Sequence, residues 1–118
     1  MTEHKNLPYI EHILDAINDI HESVKDISKE KFLSNKDVQD ANLRRLEIIG
    51  EAAKNLSNKL KQEYKEVEWN KIIGMRDKVI HGYFSVDLEI IWNIIKNDIP
   101  KLKKQIEKIK EELKLDNH

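Results

Sequence analysis

The sequence predicts an all-α fold, an up-down bundle of four main helices to which a fifth, short helix can be added. Two observations favour this class: apolar residues recur three and four positions apart over long stretches, and the 118 residues include only three Gly and two Pro. So few turn residues argue against a sandwich or barrel of short strands. The 39% of hydrophobic residues argues against disorder, and the length suits one domain, residues 1–118.

The first helix is predicted from about Pro8 to Ser28, because Pro8 suits a first helical turn. A break follows in the segment KEKFLSNKD, residues 29–37, where Ser34 or Asn35 can cap the next helix. The apolar seam of the first helix consists of Ile10, Ile13, Ile17, Ile20, Val24 and Ile27.

The second helix is predicted from about Lys36 to Leu60, and small residues on it, Gly50, Ala52 and Ala53, allow another helix to approach closely. Arg45 falls at the centre of its apolar stripe, so the guanidinium points toward the interior and requires a partner, such as Glu47 or Glu51 of a packed neighbour. The stripe itself consists of Val38, Ala41, Ile49, Ala52, Ala53, Leu56 and Leu60.

Residues 57–70, SNKLKQEYKEVEWN, are predicted to form a connection with at most one helical turn. The third helix follows from Trp69 to His81, and Gly82 is well placed to end it. The fourth helix begins after a cap at Asp87 and continues to about Leu115, with a kink at Pro100. Its seam consists of Leu88, Ile91, Ile95, Ile99, Leu102, Ile106, Ile109 and Leu113.

Composition excludes several classes of protein. Because the sequence contains no Cys, it has no disulfide and no thiolate metal site. It shows neither the pattern of a signal peptide nor an apolar run of about 18 residues, so we expect a cytoplasmic protein without a membrane span. The net charge of -1 does not indicate a general nucleic-acid binder, so any RNA partner needs a locally basic surface. His12, Asp15 and Asp19 lie near one face of the first helix, but no Glu-x-x-His pair supports a di-iron site.

The densest group of reactive side chains lies in the third helix. Arg76 falls in the middle of the apolar stripe of that helix, so its guanidinium needs a buried carboxylate or a ligand phosphate as acceptor. Asp77 and His81 are four residues apart, and the carboxylate can orient the imidazole. Arg76 and His81 point about 140° apart on an unbroken helix. Either the helix ends before His81, or a second subunit completes the site.

Structural alternatives remain open for each residue: His81 can stabilise the helix dipole, Arg76 can form a structural ion pair, and Tyr83 can be a packed aromatic residue. Residues 76–83, RDKVIHGY, however resemble the R-x4-H-x-Y motif of HepT-like proteins in the HEPN superfamily. The flanking segments RRLEIIGEAAKNL (44–56) and EWNKIIGMRDKVIHGYFSVDLEIIW (68–92) are similar to the same family. The resemblance extends over nearly the whole chain.

The resemblance implies a toxin of a type II-like or type VII-like toxin–antitoxin pair, acting as an endoribonuclease without a metal ion or cofactor. It implies Arg76 and His81 as catalytic residues, supported by Asp77, in a cleft at a homodimer interface. It also implies a minimal nucleotidyltransferase (MNT type) antitoxin that transfers AMP to Tyr83 and can form a larger hetero-oligomer with the toxin.

The chemistry of RNA is compatible with this implication, since the 2′-hydroxyl serves as nucleophile and His81 titrates near neutral pH. A different hypothesis is a non-catalytic helical partner subunit of a minimal nucleotidyltransferase. A third is a plain structural bundle.

Overall fold

The computed structural model describes the backbone of residues 5–81 and 87–116 and the side chains of residues 5–77 and 87–115. These residues form only helices and short connections, which confirms the predicted all-α fold. The elements are α1 (Asn6–Val24), α2 (Lys29–Ser34), α3 (Lys36–Lys54), α4 (Asn58–Glu63), α5 (Trp69–His81), α6 (Leu88–Asn93), a π-helical segment (Ile94–Asp98) and α7 (Ile99–Asp116).

The hydrophobic core lies between the long helices. α3 packs against α1 on one side and α5 on the other, and α1 also packs against α7. The predicted seam of α1 is buried from Ile10 to Val24, and that of the fourth helix from Ile91 to Ile109. The first helix ends at Val24 and not at Ser28 as predicted, because Ser28 caps the next helix, so Ile27 lies outside α1. The predicted stripe of α3 omitted two core residues, Leu43 and Leu46, which are 4% and 0% exposed.

Two segments predicted as connections contain short helices. Residues 29–37 include α2, and residues 57–70 include α4, whose six residues exceed the single turn expected. Each helix begins at a serine whose hydroxyl accepts a hydrogen bond from the backbone N–H three residues later, as at Ser28 and Ser57. The second predicted helix is therefore interrupted after Lys54 and does not continue to Leu60.

The predicted caps of the long helices agree with the structure. Asn35, one of two candidates, accepts a hydrogen bond from the N–H of Val38 at 3.1 Å. Asp87 accepts from the N–H of Glu89 at 2.9 Å. The fourth helix continues past Pro100 as predicted, after widening into the π-helical segment, where the N–H of Ile99 bonds to the carbonyl of Ile94. Gly82, the predicted end of α5, lies outside the described residues.

α3 and α5 approach each other closely next to the reactive sequence. A Cβ atom built on Gly50 of α3 would lie 2.8 Å from the Cβ of Arg76 and 3.0 Å from the carbonyl oxygen of Ile72. Real Cβ atoms do not pack this closely, so only glycine fits at this crossing. The prediction that small residues of α3 admit another helix is confirmed at Gly50.

Candidate functional site

Arg76 lies on the face of α5 that packs against α3. The first residue of α5 is held by a hydrogen bond from the indole Nε1 of Trp69 to the carbonyl oxygen of Tyr64, at 3.0 Å. Ile72, one helical turn before Arg76, is buried in the core. The Arg76 side chain is 29% exposed, so it lies at the edge of the core rather than inside it.

Two carboxylates hold the Arg76 guanidinium. Its Nε lies 2.5 Å from Oε2 of Glu51 on α3, and its Nη1 lies 3.3 Å from Oδ1 of Asp77. The sequence predicted either a buried carboxylate or a ligand phosphate as the acceptor; the acceptors in the structure are carboxylates, but neither is buried. Glu51 is half exposed, so the ion pair remains in contact with solvent.

The ion pair predicted for the other inward-pointing arginine, Arg45, does not form within the described chain. Within the described residues Arg45 pairs with no carboxylate, and its Nη1 donates to Oδ1 of Asn42 at 3.1 Å. Glu51, one of the two acids proposed for it, binds Arg76 instead, and Glu47 binds Arg44. The reason is geometric, because Asn42 is one turn earlier on the same helix and is fully buried beside Arg45.

The backbone of α5 excludes one of the two alternatives that the sequence left open, namely that the helix ends before His81. The helix is unbroken through His81, so it does not end before that residue. Positions 76 and 81 of one chain therefore point about 140° apart. The side chain of His81 lies outside the described part of the chain, as does the whole of Tyr83, so the pairing of Asp77 with His81 stays a prediction.

An open groove of about 260 Å³ lies beside Arg76, and side chains of α1, α3 and α5 line it. The groove was not predicted from the sequence, since its residues are far apart along the chain and none belongs to the motif except Arg76. The only sequence signal was Gly50, which marks where α3 and α5 approach. The lining residues are Tyr9, His12, Arg44, Glu47, Ile48, Glu51, Ala52, Asn55 and Arg76.

Neither a metal centre nor a membrane helix occurs among the residues with described structure. No three His, Asp or Glu side chains in that part of the chain converge as ligands of one metal ion. None of the described helices is both long enough and apolar enough to cross a bilayer.

An all-helical bundle whose motif arginine is held at a groove is compatible with a helical domain of the HEPN type. Residues 13–109 match the family described as Ribonuclease HepT-like, and the chain belongs to that family.

Several curated proteins are similar to this chain. A "probable ribonuclease HepT" of Thermococcus cleftensis is 46% identical over 102 residues, which cover 86% of this chain and 93% of the relative. A "putative RNase" of Caldanaerobacter subterraneus subsp. tengcongensis is 47% identical, over 86% of this chain and 91% of the relative.

A longer relative is the "gamma-glutamylcyclotransferase and putative RNase" of Methanocaldococcus jannaschii, which is 48% identical over 105 residues. The match covers 89% of this chain but only 47% of that protein, so the chain spans about half of its length. No solved structure gives a significant match.

Proposed function

We propose that this protein is an endoribonuclease toxin that cleaves RNA without a metal ion, with Arg76 and His81 as catalytic residues. The observation that carries the proposal is the arrangement of Arg76. In the described contacts, two of its five N–H groups bind Glu51 and Asp77 at the edge of an open groove. A guanidinium held in this way has N–H donors left for the two oxygens of a phosphate. Membership of the HepT-like ribonuclease family supports the same assignment.

The proposed reaction uses the nucleophile of the RNA itself. A histidine removes the proton of a 2′-hydroxyl, whose oxygen attacks the adjacent phosphorus and forms a 2′,3′-cyclic phosphate. The bond from phosphorus to the 5′-oxygen breaks, and a second histidine gives that oxygen a proton, so that a 5′-hydroxyl leaves. Arg76 stabilises the negative charge that builds up on the phosphate oxygens in the transition state.

The proposal includes a homodimer, which the geometry of α5 supports. Positions 76 and 81 diverge on one unbroken helix, so a cleft that uses both residues is most simply built from two chains. Two copies of His81 would then supply the base and the acid. Sedimentation at micromolar concentration is expected to show a dimer, and a monomer that still cleaves RNA would contradict this arrangement.

The proposal includes a partner, a nucleotidyltransferase antitoxin that adds AMP to Tyr83. Tyr83 follows His81 by two positions in the sequence, and a phosphate of the added AMP is proposed to engage the guanidinium that would otherwise bind RNA. Co-expression with a cognate nucleotidyltransferase is expected to add AMP to the chain and to remove its toxicity. Intact-mass spectra should show the adduct in the unchanged protein and not in Tyr83→Phe; equal adducts in both would contradict the assignment.

The decisive experiment measures cleavage of RNA by the purified chain in the presence of EDTA. We expect 2′,3′-cyclic phosphate ends, and we expect the Arg76→Ala and His81→Ala proteins to lose cleavage and growth arrest while their circular dichroism stays helical. His21→Ala, an exposed histidine near the end of α1, is the matched control and should cleave normally.

Full activity in His81→Ala, or activity that appears only when a metal ion is added, would contradict the mechanism. A chain that binds a nucleotidyltransferase but cuts no RNA would support the alternative, a non-catalytic helical partner subunit.

A further inference from the structure

The groove beside Arg76 contains a second guanidinium that the catalytic motif does not include. Arg44 of α3 is exposed over 66% of its side chain, and its Nη1 binds Oε1 of Glu47 at 2.5 Å. Glu47 and Glu51, the acids that hold Arg44 and Arg76, are one helical turn apart on α3, so they lie on the same face of that helix.

The opposite wall of the groove is aromatic. Tyr9 and His12 of α1 lie edge to face, with ring centroids 6.4 Å apart and ring planes at 89°. Tyr9 is partly buried and packs against the core, which fixes its ring, while His12 is exposed. Such a pair offers a nucleobase a ring to stack on and a hydrogen-bonding group beside it.

We infer that this groove binds one unpaired nucleotide of the RNA substrate, next to the phosphate that Arg76 contacts. Arg44 binds the neighbouring phosphate, and Tyr9 and His12 contact the base. The inference rests on the proposed ribonuclease function and names the form of its substrate, an RNA segment that is single-stranded beside the cut. The volume of about 260 Å³ is just below the range of small-molecule pockets, roughly 300–1,000 Å³, so the groove has room for one nucleotide and not for a duplex.

The charges of the groove also favour an unpaired nucleotide over duplex RNA. Arg44 and Arg76 are balanced by Glu47 and Glu51, so affinity depends on directed contacts and stacking more than on net positive charge. A base can stack on Tyr9 only when it is not stacked inside a helix. The polar lining differs from the apolar centre typical of homodimer interfaces, so in the proposed dimer the groove would belong to the open cleft and not to the packed centre of the interface.

The test is binding of a short fluorescein-labelled oligonucleotide with 2′-fluoro sugars, which cannot be cleaved because the 2′-hydroxyl is absent. Fluorescence anisotropy should show tighter binding of the single strand than of the same strand in a duplex. Tyr9→Ala should weaken single-strand binding roughly fivefold to a hundredfold, while Tyr9→Phe retains it. Arg44→Gln should weaken binding and reduce the slope of log K against log salt by about 0.7, the value for one phosphate contact.

Lys25→Gln is the matched control for Arg44→Gln. Lys25 also forms an exposed ion pair three residues away, with Glu22 at 3.1 Å, but it does not line the groove. Its removal should leave binding and the salt slope unchanged. Equal affinities of the Arg44→Gln, Tyr9→Ala and unchanged proteins would overturn the inference, and so would a change of sedimentation in either variant, because the surface would then be a subunit contact.

Cleavage of unmodified RNA, measured in parallel, separates this inference from the proposed function. If the chain cleaves RNA, and the groove variants bind and cleave it as well as the unchanged protein does, the inference fails and the ribonuclease assignment stands. If single strands bind through Arg44 and Tyr9 but the chain never cleaves them, the groove is supported and the ribonuclease assignment fails.

Discussion

Arg45 on α3 and Arg76 on α5 occupy equivalent positions in the sequence pattern, each at the centre of an apolar helical stripe. The two guanidinium groups nevertheless find different kinds of hydrogen-bond acceptor. Arg45 donates to the amide oxygen of Asn42, one turn earlier on its own helix. Arg76 instead reaches Glu51 on another helix and Asp77 beside it.

The contrast supports the proposal that Arg76, and not Arg45, takes part in the chemistry. The partner of Arg45 is neutral, fully buried and local, so the interaction serves the stability of α3. The partners of Arg76 are anionic, half exposed or more, and located where α3 and α5 cross beside a groove. A cation held in this way can exchange or share its acceptors with a phosphate, which a buried amide contact does not allow.

The largest expected effect distinguishes the two arginines by activity. Arg76→Lys should lower kcat/KM for RNA about 100-fold or more, because an ammonium group cannot bind two carboxylates and a phosphate with the planar fork of arginine. Arg45→Lys should cleave nearly as well as the unchanged protein, per folded molecule. Comparable losses in both would mean that the two regions do not differ in function.

The helix crossing behind Arg76 can be tested with a pair of glycines. Gly50→Ala should lower the free energy of unfolding by about 1–3 kcal/mol, since the new Cβ would lie 2.8 Å from the Cβ of Arg76. Gly74 of α5 has nothing within 4 Å of such a Cβ, so Gly74→Ala should raise stability by about 0.5–1 kcal/mol through helix propensity. Urea denaturation checks both, and a stabilising Gly50→Ala would contradict the close approach.

The Arg45 region should respond in stability and not in catalysis. Asn42 is fully buried and bonds to Ser23 Oγ, the carbonyl oxygen of Val38 and Arg45. Asn42→Ala should cost about 1–3 kcal/mol because partners lose their hydrogen bonds, whereas Ser23→Ala should cost less. The rate of RNA cleavage per folded molecule should not change in either variant, and a large fall in that rate would connect this region to the site.

The smallest change in stability is expected at the ion pair of Arg76. Glu51→Gln should shift the free energy of unfolding by less than about 1 kcal/mol, because the pair is partly exposed to solvent. Its cleavage rate should nevertheless fall, though by less than in Arg76→Lys, since the guanidinium loses the charge that orients it. Glu89→Gln removes another interhelical ion pair, with Lys29 at 3.7 Å, and should leave both quantities unchanged.

Local signals in the sequence predicted that the long helices exist and where several of them begin, but not where α1 and α3 end. The predicted bounds of α5, Trp69 to His81, are those of the structure, and the caps at Asn35 and Asp87 were also predicted. These features depend on residues within one or two turns of each other, which is the range over which periodicity and capping act.

Long-range packing accounts for what the sequence did not predict. α2 was taken for a break, yet it buries Phe32, whose ring centroid lies 5.2 Å from that of Trp92, sixty positions later. The motif identified Arg76 as functional, but its acceptor Glu51 and the groove walls at Tyr9 and Arg44 depend on how α1, α3 and α5 pack. No spacing along one helix contains that information.

The π-helical segment Ile94–Asp98 has a consequence for how this chain can vary. The core positions Ile91, Ile95 and Ile99 are separated by two successive steps of four, where a regular seam alternates three and four. The wide turn absorbs one additional residue, so that α6 and α7 both keep their apolar faces toward the core. The segment therefore has the form of an α-helix into which one residue has been inserted, with the wider turn taking up the extra length. Related chains that are one residue shorter at this point would keep the same core by forming an ordinary α-helical turn.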